Sequence, residues 1–362
     1  MHWRPLESEF ARVQEGASQK LHLPTDYSMP DALVTLTIQR PEGLKDMASL
    51  KTVVATASAI MASTAPGHAG PIGSATALKI DFITIDENIT LRRMVSRQGN
   101  PNGTVLFLHG FPETLGVWTK ITETMGAQYE VHAFDWPGYG QSSRPSPERF
   151  SYSPRDYAKV LKAYIDRSGI DRSNLVIYAS DIGSLPALLL ALEEPTVAKK
   201  IIVGDFAPFN RPHWMYESLQ NLKAEPTATP TRAYMNKTSD EILENVHRRG
   251  LAPENQFDLP SEVQSDMKES WMRDGVTTAD AFAFYYAHFT RDEDYLEANL
   301  SRLKTPIKVI WGEKDIYIKP EMGKEFADRT GSKFAVLKGV GHFPHLQDPS
   351  RAVDEVRRAF AD

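Results

Sequence analysis

The chain has 362 residues, 41% of them hydrophobic and 24% charged, a balance that excludes collagen-like, disordered and coiled-coil chains; its length fits one large α/β domain with an insertion, or two domains. With 41 Lys and Arg against 47 Asp and Glu the net charge is −6, which offers no general attraction to nucleic acid or an anionic membrane. The absence of Cys excludes disulfides, thiolate metal sites and a Cys nucleophile, and no apolar run approaches the ~20 residues a spanning helix needs.

Residues 1–76 read as an N-terminal extension. Positions 1–46 show no sustained helical or strand period. The stretch 47–69 begins at Met47, carries Lys51, continues through mildly apolar residues 52–65 and ends in small residues around Gly67 and Ala69. That is the order of a secretory signal, displaced from the start of the chain. Translation from Met47 would send the protein to the periplasm or outside the cell; translation from Met1 would leave it cytoplasmic. The other reading of the stretch is an Ala/Ser-rich linker or helix.

From Leu78 onward strands and helices alternate. Strands are expected at 78–85, 89–95, 104–108, 129–134, 174–179 and 200–203, with helices at 114–125, 153–169 and 184–192. In 153–169, Tyr157, Val160, Leu161, Tyr164 and Ile165 share one face. The run Thr104–Leu108 is continuously apolar, as in a strand buried on both faces. Residues 206–300 break the alternation: they are helical in character and rich in aromatic and charged groups. Alternation resumes with strands at 307–311 and 334–337 and helices near 320–328 and 350–360. The expected fold is α/β, a mostly parallel twisted sheet with helices on both faces. Residues 77–205 and 301–362 form its core, and 206–300 form an inserted helical lid over the carboxyl ends of the strands.

Four strand ends carry chemistry. Between an apolar strand and an apolar helix stands Tyr178-Ala179-Ser180-Asp181-Ile182-Gly183. A nucleophile elbow needs small residues two positions either side of the nucleophile, because its strained turn crowds the flanking Cβ atoms. Ala179 and Gly183 satisfy this for Asp181; a Ser180 elbow would need small residues at Tyr178 and Ile182. Asp181 could instead simply cap the following helix. Asp315 follows the 307–311 strand and His342 follows the 334–337 strand, completing the order nucleophile, acid, base. Taken singly, Asp315 and His342 would be ordinary loop residues. Asp205, just past the 200–203 strand, is a second candidate acid, and His345 a second candidate base. The fourth end, His109-Gly110-Phe111-Pro112-Glu113, follows the 104–108 strand.

From about Leu78 to its end the sequence resembles the α/β-hydrolase superfamily, within it the Asp-nucleophile branch of epoxide hydrolases and haloalkane or haloacetate dehalogenases. The resemblance implies that the backbone N–H groups of Phe111 and Ile182 form an oxyanion hole, that Pro112 follows a cis peptide, and that His109 is structural. It also implies a two-step reaction, in which a carboxylate attacks an sp3 carbon to form an alkyl-enzyme ester that a His-activated water hydrolyses. Haloalkane dehalogenases generally bind halide through a Trp after the nucleophile and a donor such as Asn after His-Gly, and haloacetate dehalogenases hold a carboxylate with Arg after the nucleophile; Ile182 and Phe111 offer none of these. Epoxide hydrolases protonate the opening ring with two lid tyrosines. Tyr286 in Phe282-Ala-Phe284-Tyr285-Tyr286 matches the second, with Tyr285 its rival, and Tyr234, Tyr216 or His213 are candidates for the first. Both Tyr285 and Tyr286 could equally be lid core. Trp214, Phe284 and Phe289 would suit an apolar pocket wall, or simple packing. The expected activity is epoxide hydrolysis to diols; the alternatives are a dehalogenase, a serine-type esterase or a non-catalytic binding protein on the same fold. No cofactor or metal is expected. The expected partner is a small apolar epoxide, with no nucleic acid and no stable membrane association; the chain could act alone or as a homodimer.

Overall fold

The computed structural model describes residues 78–97 and 99–361; the expected extension 1–76 and its signal-like stretch 47–69 lie outside them. The strands are β1 (Leu78–Thr84), β2 (Thr90–Ser96), β3 (Thr104–Leu108), β4 (Glu130–Phe134), β5 (Leu175–Ser180), β6 (Lys200–Gly204), β7 (Ile307–Gly312) and β8 (Lys333–Leu337). They form one sheet in the order β1-β2-β4-β3-β5-β6-β7-β8. Pairing is antiparallel from β1 to β2 and from β2 to β4, and parallel elsewhere. Every residue of β3 and β5 is buried, as parallel strands covered on both faces require. Edge strand β1 instead leaves Ile80 and Phe82 exposed.

Helices α1 (Thr119–Met125), α2 (Pro154–Ser168) and α3 (Ser184–Glu193) alternate with the strands. Helices α4 (Glu217–Asn221), α5 (Ala228–Lys237), α6 (Ser239–Asn245), α7 (Ser261–Trp271) and α8 (Thr278–Ala298) lie between β6 and β7, and α9 (Pro320–Thr330), α10 (Pro344–Gln347) and α11 (Pro349–Ala361) complete the core. The caps explain the boundaries. Ser153 accepts the Asp156 N–H at the start of α2, and Gly169, at φ +65°, ends it in the left-handed conformation that glycine adopts without strain. A reciprocal capping box between Thr277 and Asp280 opens α8, the longest helix of the insertion. The helix expected over 114–125 differs: it begins as the 3-10 turn Leu115–Trp118, with Thr114 Oγ1 accepting the Gly116 N–H. Helix α10 has no counterpart among the expected elements, because four residues cannot display a period.

The insertion is tied to the sheet by a buried cation. Arg92 on β2 donates from Nε to Asp135 (2.5 Å) and from both Nη groups to the two oxygens of Asp266 on α7 (2.7 and 2.6 Å). Thr114 Oγ1 also donates to Asp266 (2.5 Å). Burial alone would raise the Asp266 carboxyl, but the Arg92 and Thr114 bonds hold it below the usual carboxylate range. Asp266→Ala is expected to cost about 3 kcal/mol in urea denaturation, since it strips a buried guanidinium of its two Nη bonds and leaves it only Asp135; a loss under about 1 kcal/mol would show that solvent replaces the carboxylate without penalty. A depressed folded value fixes the sign of the pH dependence. The contribution of Asp266 is present above the ordinary Asp value of about 3.9 and fades as pH falls through the folded value.

Candidate active site

The order of the strands places the site. The chain runs from β3 outward to β4 and then returns across β3 to β5, so the direction of winding reverses beside β3. Open α/β sheets leave a crevice at the carboxyl ends of the strands where this happens. Leu108 pairs with Ala179 at the ends of β3 and β5, which sets the loop 109–113 directly against Asp181.

Asp181 occupies a strained turn. Its φ is +50°, a conformation that a residue with a Cβ adopts only at a cost. The neighbours must be small: a Cβ on Gly110 would lie 2.6 Å from the Asp181 Cβ, and one on Gly183 would meet the Leu108 Cβ and the His109 oxygen at 3.0 and 3.1 Å. Ser180 has extended backbone (φ −125°) and belongs to the strand end, not to the apex of the turn. Asp181 Oδ1 accepts the Phe111 N–H (2.8 Å). No bond from the Ile182 N–H to this carboxylate appears among the described residues. The Phe111–Pro112 peptide is cis.

The other oxygen, Oδ2, faces His342 Nε2 at 3.4 Å, and His342 Nδ1 lies 2.8 Å from Asp315 Oδ2. Asp315 Oδ1 accepts the Tyr317 and Ile318 N–H groups (2.8 and 3.1 Å), which fixes the carboxylate toward the imidazole. Burial disfavours charge on His342, but the Asp315 carboxylate and then the Asp181 oxygen outweigh it and carry the imidazole well above its ordinary value. Asp205 is also buried and close, one of its oxygens lying within 4.8 Å of both His342 and Asp315 ligand atoms. Its Oδ1 is occupied by the Gly312 N–H (2.8 Å), and burial, followed by the Asp315 charge, drives its carboxyl well above the usual range. The direct partner of His342 is therefore Asp315, with Asp205 behind it.

A second buried network holds the loop that presents the Phe111 N–H. Glu113 Oε2 accepts the Gly110 N–H (2.8 Å), and Glu113 Oε1 is paired with His345 Nε2 (2.7 Å). Burial pushes the Glu113 carboxyl up, but the His345 charge and hydrogen bond bring it below its ordinary value. His345 stacks on Trp118 and is thus a brace, not a rival base for Asp181. His109 is fully buried, with Nδ1 on the Gly110 oxygen and Nε2 accepting the Trp136 N–H. Burial lowers it below its ordinary value and keeps it neutral.

Two spaces open at Asp181. The larger, about 290 Å³, is lined by Asp181, His342, Phe111, Phe343 and Tyr317 from the strand-end loops, and by Phe282, Leu222, Ile242, Val246, Tyr216 and Tyr234 of the insertion. Tyr216 and Tyr234 both reach it, and Tyr234 is largely exposed. The smaller is a slot of about 10 Å³, bounded by Asp181, Ile182, Tyr285, Tyr286 and Phe289, near the limit for one water. Tyr286 therefore borders Asp181 from the slot and does not line the larger cavity. Tyr285 donates its hydroxyl to the Ile182 oxygen (3.2 Å) and braces the elbow. Trp214, expected at the pocket wall, borders neither space; it packs half-buried against the core, and its neighbour His213 is exposed. Tyr317 was not anticipated from sequence. It lies against the His342 ring (5.1 Å between centroids) and ties the insertion to the Asp315 loop through its bond to the Val246 oxygen (3.0 Å).

A family model for the alpha/beta hydrolase fold matches residues 103–349, and the chain belongs to that family. It is 27% identical to a fluoroacetate dehalogenase of Burkholderia sp, over 68% of this chain and 83% of the relative. The haloalkane dehalogenase DbeA of Bradyrhizobium elkani superposes with a TM-score of 0.63 at 20% identity, covering 79% of this chain and 98% of its own. The epoxide hydrolase CorEH superposes with a TM-score of 0.65 at 16% identity, covering 79% and 99%. The chain is an α/β-fold hydrolase. These structural likenesses establish the fold, and the relatives span more than one chemistry.

Carboxylates on both ring nitrogens should be visible in the titration of His342. An NMR titration is expected to place it above the ordinary value of about 6.5, and either Asp315→Asn or Asp181→Asn should lower it. A raised folded value stabilises the protein fully below the unfolded value, and that stabilisation disappears as pH rises through the folded one. A wild-type value at or below 6.5 would contradict the paired geometry.

Proposed function

We propose that the protein is an epoxide hydrolase that works through an ester on Asp181. The observation that carries this reading is the division of labour on one carboxylate: Oδ1 is held by the Phe111 N–H while Oδ2 faces His342 at the end of an apolar cavity. A carboxylate is the required nucleophile for an sp3 carbon, because the ester it forms can be hydrolysed, whereas the ether formed by a serine could not turn over.

In the first step Oδ2 attacks an oxirane carbon, the carbon–oxygen bond breaks, and the departing oxygen takes a proton from Tyr286. Burial, reinforced by the Asp181 charge, pushes the Tyr286 hydroxyl well above its ordinary value, so it stays protonated and able to donate. Its position beside Asp181 in the slot, together with the occupation of Tyr285 by the elbow, supports Tyr286 as the donor. Tyr234 and Tyr216 line the larger cavity at its solvent-open side, which leaves Tyr286 as the donor this reading assigns to the opening ring. Esterification removes the negative charge of Asp181 and with it part of what holds the proton on His342, which passes to the tyrosinate. The neutral imidazole, oriented by Asp315, then takes a proton from water, and the resulting hydroxide attacks the ester carbon. The oxyanion that forms on Oδ1 already has the Phe111 N–H in place. Collapse passes the remaining proton of the attacking water to the departing alkoxide, releases the diol and restores the carboxylate, and the proton taken from water stays on His342, as at the start. Halide release finds less support, since neither Phe111 nor Ile182 has a side-chain donor.

Styrene oxide, an aliphatic epoxide, 1-bromobutane and fluoroacetate, assayed for diol and for halide, separate these readings. Diol without halide is expected; halide without diol would overturn the proposal. Asp181→Asn should lower turnover by at least about three orders of magnitude. His342→Gln should let the ester accumulate, seen by intact-mass spectrometry as an adduct of the whole epoxide mass. An unmodified, inactive His342→Gln protein would contradict the two-step scheme.

A further inference from the structure

The larger cavity is graded in polarity. Its floor, around Phe111, Phe282 and Phe343, is buried and apolar, while its rim, where Tyr234 and Tyr216 stand, is open to solvent. On that rim Arg249 is the one Lys or Arg among the residues lining the cavity. Its nearest acidic neighbour is Glu241, also on the rim, at 3.7 Å, too long for a hydrogen bond, and both side chains are partly exposed. A guanidinium has five donors in a planar fork suited to a carboxylate, and among the described residues this one has a single ion pair, loose, solvated and of little energetic worth.

The backbone that carries Arg249 is nevertheless fixed relative to the reacting groups. Its N–H is bonded to Asn245 at the end of α6. Gly250 follows at φ +85° and lies so close to the Asp315 loop that a Cβ there would meet Lys314 and Ile316 at 2.7 Å. Tyr317, two residues past Asp315, bonds the Val246 oxygen. The rim that carries Arg249 is thus docked on the loop that orients His342.

We propose that Arg249 receives a carboxylate carried by the substrate, so that the substrate class is an amphiphilic epoxy acid: its oxirane at Asp181, its apolar chain along the cavity floor and its carboxylate at the rim. This rests on the epoxide hydrolase reading. Glu241 keeps the guanidinium on the rim when the cavity is empty and yields to the better-placed substrate carboxylate; its exposure makes its release to water inexpensive.

Matched substrates test this: the terminal epoxide of undecenoic acid and its methyl ester, with wild type, Arg249→Leu, Arg249→Lys and Glu241→Gln. Wild type is expected to prefer the acid in kcat/KM, mainly through KM. Arg249→Leu should reduce the acid-over-ester ratio about tenfold, Arg249→Lys should keep part of it, and Glu241→Gln should lower KM for the acid. Equal rates on acid and ester, with a ratio insensitive to Arg249→Leu, would overturn the inference while leaving the epoxide reading intact. If neither epoxide is opened, the epoxide reading fails, and titration calorimetry with undecanoate decides the binding claim separately. Binding weakened about tenfold or more by Arg249→Leu would support it, and no binding, or binding indifferent to that substitution, would overturn it.

Discussion

The site depends on one buried imidazole held between two carboxylates. His342 lies 2.8 Å from Asp315 and 3.4 Å from Asp181. In water such contacts would be weak. In this interior each is amplified, and the pair outweighs the penalty of burying the charge. The same arrangement gives the imidazole two states. In the proposed cycle the Asp181 anion favours a proton on His342; with Asp181 as a neutral ester, one of the two attractions would be gone and His342 would become a better base. A change in covalent state at one atom would thus set the protonation of its neighbour, with no movement of the chain.

The surrounding structure keeps these three side chains in place. Each of them, and the Phe111 N–H, comes from a different strand end, so nothing local fixes their separation. The sheet does this through its parallel register. Buried polar braces then lock the loops: Glu113 with His345 spans the Phe111 loop and α10, Asp205 caps the Gly312 N–H, and Arg92 with Asp266 ties the insertion to the sheet. Each brace pairs a buried charged or polar group, which the interior tolerates at low cost only when partners are supplied; His345 Nδ1 has no hydrogen-bond partner among the described residues.

Much of this was legible because it is written in short range. Small residues at Ala179 and Gly183 around Asp181 are demanded by the strained turn itself, and the continuous apolar runs of β3 and β5 follow from burial on both faces. What could not be read depends on distance or on angle. Asp205 and Asp315 both follow buried strands, and only the Tyr317 and Ile318 N–H groups turn Asp315 toward His342. Glu113 and His345 are far apart in sequence, and no local pattern links them. Tyr285 and Tyr286 are adjacent on α8 and both border the slot, and only the side-chain direction decides that Tyr285 also braces the elbow. Trp214 is an aromatic beside the cavity in sequence, but packing against the core takes it away from both spaces.

The most direct test of the Asp181 ester is a single turnover of an epoxide in oxygen-18 water, with enzyme in excess. The expected result is a diol that carries unlabelled oxygen from Asp181, and one heavy oxygen in the peptide containing Asp181. A diol labelled from solvent, with that peptide unlabelled, would mean that water attacks the substrate directly and would contradict the central claim.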